Sequence, residues 1–153
     1  MRLANQPNAG VLAWIHDTTK PTPRRLWARR RIPVEAMRCH PDLCDRLEAI
    51  STGLGGRLRY VAGLPVLVQA NNVIFAIAAG TSWIALRLPP HGQSAVVRSE
   101  WGRRGLDDEW IDVDPWLGSM PSRDGVRRLQ GWCRASAAYA GELVTGRAPI
   151  RPA

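Results

Sequence analysis

Four groups of residues have types and spacings that could do chemistry. The first is Cys39-His40-x3-Cys44, three metal-capable side chains in one short stretch. A closed zinc site takes four ligands, and Cys133, His16 and His91 are all distant in sequence. Cys44 stands beside Leu43 and Leu47, where a small thiol packs as an apolar residue. The expectation is therefore packing and a helix start, with no metal. No Cys-His nucleophile is expected either, because no residue pairing supports one.

The second group is acidic: Asp107, Asp108, Glu109, Asp112 and Asp114. Paired carboxylates can exchange protons or hold hard cations, and Asp112 and Asp114 would project from the same face of a strand. The preferred reading is a solvated edge facing Arg103 and Arg104, so no catalytic residue is assigned.

The third group is Arg24, Arg25, Trp27, Arg29, Arg30 and Arg31. Arginine meets phosphate in a bidentate fork, and tryptophan stacks on bases. This segment is the candidate nucleic-acid contact, with steep salt dependence expected if each arginine meets a phosphate. The alternative is a basic stretch that stays solvated or pairs with the acidic region of its own chain.

The fourth group is aromatic. Trp83, Trp110 and Trp132 read as core or core rim. Trp101 and Trp116 fall in loops, and with Arg87 they are the candidate ligand or partner groove.

Several elements must position these groups. His40-Pro41-Asp42 opens a helix, since proline and an acid suit a first turn. Leu43, Leu47, Ile50 and Leu54 recur at helical spacing, and Gly53, Gly55 and Gly56 end the run. Candidate strands follow at Leu58–Val61, Leu64–Gln69, Val73–Ala78 and Trp83–Leu88. The turns between the last three are Asn71-Asn72 and Gly80-Thr81-Ser82, where Asn and Gly tolerate positive φ. Strands from Leu64 to Pro89 so linked make an antiparallel meander. Val73, Phe75 and Ile77 are expected on one face and towards the core, and Trp83, Ala85 and Arg87 share a face of their own strand. His91 to Glu109 reads as a polar connection, with Ser94 to Arg98 a short strand or helix. Trp110–Val113 is a further strand. A final helix starts after Ser122 and turns Val126, Leu129, Trp132, Cys133 and Ala137 inward.

Helices at both ends of a run of strands indicate an α+β fold in two layers. The chain has 153 residues, 45% of them hydrophobic and 22% charged, which suits one domain with a real core. No apolar run approaches the length of a membrane span. The opening residues lack the apolar stretch of a signal peptide. An odd cysteine count argues against a disulfide framework, so reduced thiols in a cytoplasmic protein are expected. The net charge is +8, and nearly every basic residue is arginine, Lys20 being the one lysine. Residues 1–38 carry eight basic and two acidic side chains, which leaves only +2 for the rest. The expected organisation is thus a basic, Pro- and Arg-rich arm at 1–38, one α+β domain at 39–145, and a flexible tail at 146–153. Val11, Leu12, Trp14 and Ile15 could form an apolar helical turn that docks on the domain.

Leu64-Pro65-Val66, Ile74-Phe75-Ala76, Ile84-Ala85-Leu86-Arg87 and Trp110-Ile111-Asp112-Val113, set between two helices, resemble the pattern of MmcQ/YjbR domains and of the N-terminal domain of TfoX-type proteins. The resemblance covers about residues 40–143. It implies a two-layer α+β fold similar to secretion chaperones and no established enzyme activity, with no catalytic residue to transfer; no cofactor is expected. The Asn71-Asn72 turn replaces the family's glycine-containing turn, and the basic arm has no family counterpart. The expected function is a non-enzymatic binding or adaptor domain whose partner is a protein or a nucleic acid. The alternatives are a nucleic-acid-binding protein using the arm, and an enzyme or small-ligand binder with a pocket between sheet and helices. An exposed sheet edge would also allow a homodimer.

Overall fold

The computed structural model describes residues 5–16, 38–98, 102–116 and 123–143. Four α-helices lie in these segments: α1 (Asn5–His16), α2 (Pro41–Ser51), α3 (Ser94–Arg98) and α4 (Arg123–Glu142). Six strands accompany them: β1 (Arg57–Val61), β2 (Leu64–Val68), β3 (Ile74–Ala79), β4 (Trp83–Arg87), β5 (Gly102–Arg104) and β6 (Trp110–Val113). They form one antiparallel sheet in the order β1-β2-β3-β4-β6-β5. The architecture is α+β, with the meander β2–β3–β4 at its centre. No helix among the described residues is long and apolar enough to cross a membrane.

Helices α2 and α4 cover one sheet face. Leu43, Leu47 and Ile50 of α2 and Leu129, Cys133, Ala137 and Ala140 of α4 are buried there with Leu67, Phe75, Ala76, Ile84, Leu86 and Ile111. Side chains of the β2–β3 turn hook onto α4. The Gln69 amide donates to the Ala137 carbonyl at 2.8 Å and the Asn71 amide to that of Ala140 at 2.9 Å. The Asn71 side-chain oxygen Oδ1 accepts from Val73 N–H, and Asn72 takes the left-handed conformation at φ 67°. The two asparagines thus build the turn and also fasten the helix.

Helix α1 lies on the opposite face. Its Val11 and Ile15 are fully buried with Val66, Val68, Ile74, Ile77, Ala85 and Trp110, and Trp14 stacks on Trp83 with ring centroids 4.7 Å apart. Helix α1, which falls within residues 1–38, therefore contributes Val11 and Ile15 to the core.

One expectation about the faces is overturned. Val68 pairs with Ile74 and Leu67 with Ala76, so Phe75 is an extra residue on β3. Such a bulge shifts the alternation by one position. Phe75 consequently turns towards α2 and α4, while Ile74 and Ile77 turn towards α1. Val73, Phe75 and Ile77 do not share a face. In the polar connection from His91 to Glu109, Ser94–Arg98 takes the helical of its two expected forms, and two elements are added: Pro90–Gly92 forms a 3-10 turn at its start, and β5 pairs with β6.

Candidate functional site

Arg87 ends β4 directly opposite Trp110 of β6. Strand alternation puts both on the α1 face, and there the guanidinium lies 5.0 Å from the indole centroid. Arg87 is only 2% exposed. Its Nη2 donates to the Pro7 carbonyl of α1, while Nε and Nη1 find no hydrogen-bond acceptor among the described residues. Burial lowers the guanidinium pKa, and the nearby Glu109 and Asp107 carboxylates act in the opposite sense.

Both acids are built into the β5–β6 connection. Asp107 Oδ1 accepts from Glu109 N–H at 2.8 Å, and Glu109 Oε1 accepts from the Tyr139 hydroxyl at 3.0 Å. Asn8 completes this end of the sheet. Its amide donates to the Asn72 carbonyl and its side-chain oxygen accepts from Ile74 N–H, each at 2.8 Å. Arg87 and Asn8 thus clamp the start of α1 to the sheet. At the other end Arg38 donates to the Ile15 carbonyl at 2.9 Å.

Trp116 lies elsewhere. It packs against the core on the α2–α4 face, and its indole donates to the Thr81 carbonyl at 3.2 Å. The Arg46 guanidinium sits 5.5 Å from its ring centroid, and Arg46 Nε donates to the Pro115 carbonyl at 2.9 Å. Arg87 and Trp116 are therefore on opposite faces of the sheet and do not line one groove. Trp101 and the arm residues Arg24, Arg25, Trp27, Arg29, Arg30 and Arg31 lie outside the described residues.

Two acids of the cluster, Asp107 and Asp114, cap turns with their side chains. Asp114 lies beyond β6 and accepts from Trp116 N–H at 2.8 Å, so it does not share a strand face with Asp112. Asp112 pairs in register with Arg103 of β5. Among the described residues, no group of three or more His, Cys, Asp or Glu side chains is arranged to hold a metal ion.

The outer strand β1 was not singled out by sequence reasoning. It pairs with β2 at one border of the sheet. Its alternation places Arg57 and Arg59 on the α1 side and Tyr60 on the α2 side, and Tyr60 is 63% exposed. Among the described residues, Val97 is the one other exposed large apolar side chain, and it is less open. The alternating pattern Arg57-Leu58-Arg59-Tyr60 just before the meander carried that signal. No family model, curated protein or solved structure matches the chain.

Proposed function

We propose that this chain is a non-enzymatic binding domain, with a layout similar to MmcQ/YjbR domains, and that its β1 edge takes an extended acidic segment of a protein partner. One observation carries the reading: the outer strand presents Arg59 on one face and an exposed Tyr60 on the other, with Arg57 two residues before Arg59. Adding a strand to an exposed edge gives main-chain hydrogen bonds, and alternate side chains give specificity. Carboxylates on the incoming strand complement Arg57 and Arg59 on one side, and Tyr60 supplies an amphipathic contact on the other. A second copy of the chain is a poorer occupant, because two antiparallel β1 strands bring their arginines together. The surplus of +8 favours encounter with anionic partners.

The test is a titration of the full chain with a labelled peptide alternating glutamate and valine, and separately with a single-stranded oligonucleotide, each at low and high salt. Arg59→Glu should weaken peptide binding by roughly tenfold and leave the thermal midpoint unchanged. Replacing Arg24, Arg25, Arg29, Arg30 and Arg31 with glutamine should leave peptide binding intact. Peptide affinity unchanged by Arg59→Glu would defeat the proposal. Oligonucleotide binding abolished by the glutamine variant, with no peptide binding, would replace it with nucleic-acid contact through the arm.

A further inference from the structure

The start of α2 gathers two of the three cysteines. Residues Arg38 and His40 are pinned to the β3–β4 turn: Gly80 N–H donates to the Arg38 carbonyl, and His40 N–H donates to that of Gly80, both at 2.8 Å. This fixes Cys39 between them in a bridge with Gly80. The His40 carbonyl then accepts from Leu43 and Cys44 N–H at 3.0 Å each, and from the Cys39 thiol at 3.6 Å. One carbonyl thus holds the Cys39 thiol beside the Cys44 N–H, at the turn that carries Cys44. Cys39 is 2% exposed, while Cys44 is half-buried and packs against the same core. Cys133 is buried in α4, within the helix face that packs on the sheet.

We propose that Cys39 and Cys44 form a dithiol pair that a low-molecular-weight disulfide oxidises to an intramolecular disulfide, with Cys44 as the entry thiol. The inference does not depend on what β1 binds. Cys44 loses its proton to solvent, and its sulfur attacks one sulfur of the small disulfide. That S–S bond breaks, a mixed disulfide forms, and a thiolate leaves. Cys39 then attacks the Cys44 sulfur and expels the second small thiolate, which takes up the Cys39 proton. Two protein thiols have lost two electrons and two protons, and one small disulfide has become two thiols. The order of attack follows access, since only Cys44 is open to a reagent. Burial keeps Cys39 protonated, which suits it to the resolving step inside the protein and not to first attack.

The experiment equilibrates the folded full-length chain with glutathione buffers from fully reduced to fully oxidised, then alkylates free thiols and digests with trypsin. Cleavage after Arg38 and Arg46 leaves both cysteines in one peptide, Cys39–Arg46. In the reduced buffer that peptide should carry two alkyl groups. In the oxidised buffer it should carry none and be lighter by two hydrogen atoms. Cys39→Ser should leave Cys44 trapped as a mixed disulfide with glutathione, and Cys44→Ser should leave Cys39 unmodified. The proposal is overturned if the wild-type peptide keeps both thiols in the oxidised buffer, or if it accumulates only the mixed disulfide. It is also overturned if Cys44→Ser is glutathionylated at Cys39.

Discussion

The Arg87 guanidinium lies over the Trp110 indole from the directly paired position across β4 and β6. The pair occupies the end of the sheet that α1 caps, and Arg87 reaches further to the Pro7 carbonyl. A buried cation is costly unless its surroundings compensate. Here the ring face, a carbonyl and the carboxylates of Glu109 and Asp107 do so. The arginine joins three separate parts of the chain: α1, the β4–β6 pair and the β5–β6 connection.

Arg87→Ala should therefore destabilise the fold by about 2–4 kcal/mol, through a cavity and loss of the clamp on α1. Arg87→Met fills much of the volume without a charge, and should stay within about 1.5 kcal/mol of wild type. Urea unfolding followed by tryptophan fluorescence separates the two. Equal losses for both variants would mean that the polar contacts outweigh the packing.

Much of the scaffold was legible in the sequence because its signals are local. Leu43, Leu47 and Ile50 at helical spacing mark α2, and all three are buried. Asn71-Asn72 between apolar runs marks the β2–β3 turn. The alternation in Trp110–Val113 places Ile111 and Val113 on one face and Trp110 on the other, as found. The bulge at Phe75 was not legible, because it exists only in the pairing of β3 with Val68 and Leu67. Strand β5 was hidden too: three residues in a polar stretch show no period, and β6 supplies the pairing. The surroundings of Arg87 were equally out of reach. Pro7 lies 80 positions away in sequence, and nothing local in β4 says that an arginine on its outer alternation will be covered by a helix.

The β1–β2 hairpin offers a stabilising change. Its two-residue loop puts Ala62 at φ 49° and Gly63 at φ 80°. Both left-handed positions match a type I′ turn, in which asparagine followed by glycine is favoured. Alanine in this conformation is strained by roughly 1 kcal/mol. Ala62 is exposed, so a new side chain meets solvent. Ala62→Asn should raise stability by about 0.5 kcal/mol and shift the thermal midpoint upward. Ala62→Val should lower it.

Two glycines should respond to alanine in opposite directions. A Cβ on Gly102 would stand 2.8 Å from the Val96 carbonyl oxygen, a backbone atom that cannot yield easily. Gly102→Ala forces α3 and β5 apart and should cost about 1–3 kcal/mol. Gly131 lies inside α4 with nothing near its missing Cβ. There alanine only removes the conformational freedom of glycine in a helix, and Gly131→Ala should gain about 0.5–1 kcal/mol. Thermal melts of the two variants beside wild type check the sign of each.

Alkaline pH should unfold the protein through its buried thiols. Burial pushes the Cys133 pKa up to about 12 in the folded chain, against roughly 8.5 for an exposed cysteine. At neutral pH both states hold the proton, so the contribution is fully present. Above the exposed value the unfolded chain loses the proton while the folded chain keeps it, and stability falls as pH rises towards the folded value. The slope is about 1.4 kcal/mol per pH unit for one such thiol. Cys39, whose pKa burial also raises, adds a loss of the same sign. Urea unfolding at pH 8, 9 and 10 under reducing conditions measures the slope. Cys133→Ala starts from a somewhat lower stability, because it leaves a small cavity. It should nevertheless lose stability less steeply than wild type over that range. Parallel lines for the two proteins would show that the Cys133 thiol titrates alike in both states and that its burial leaves no mark on the alkaline limb.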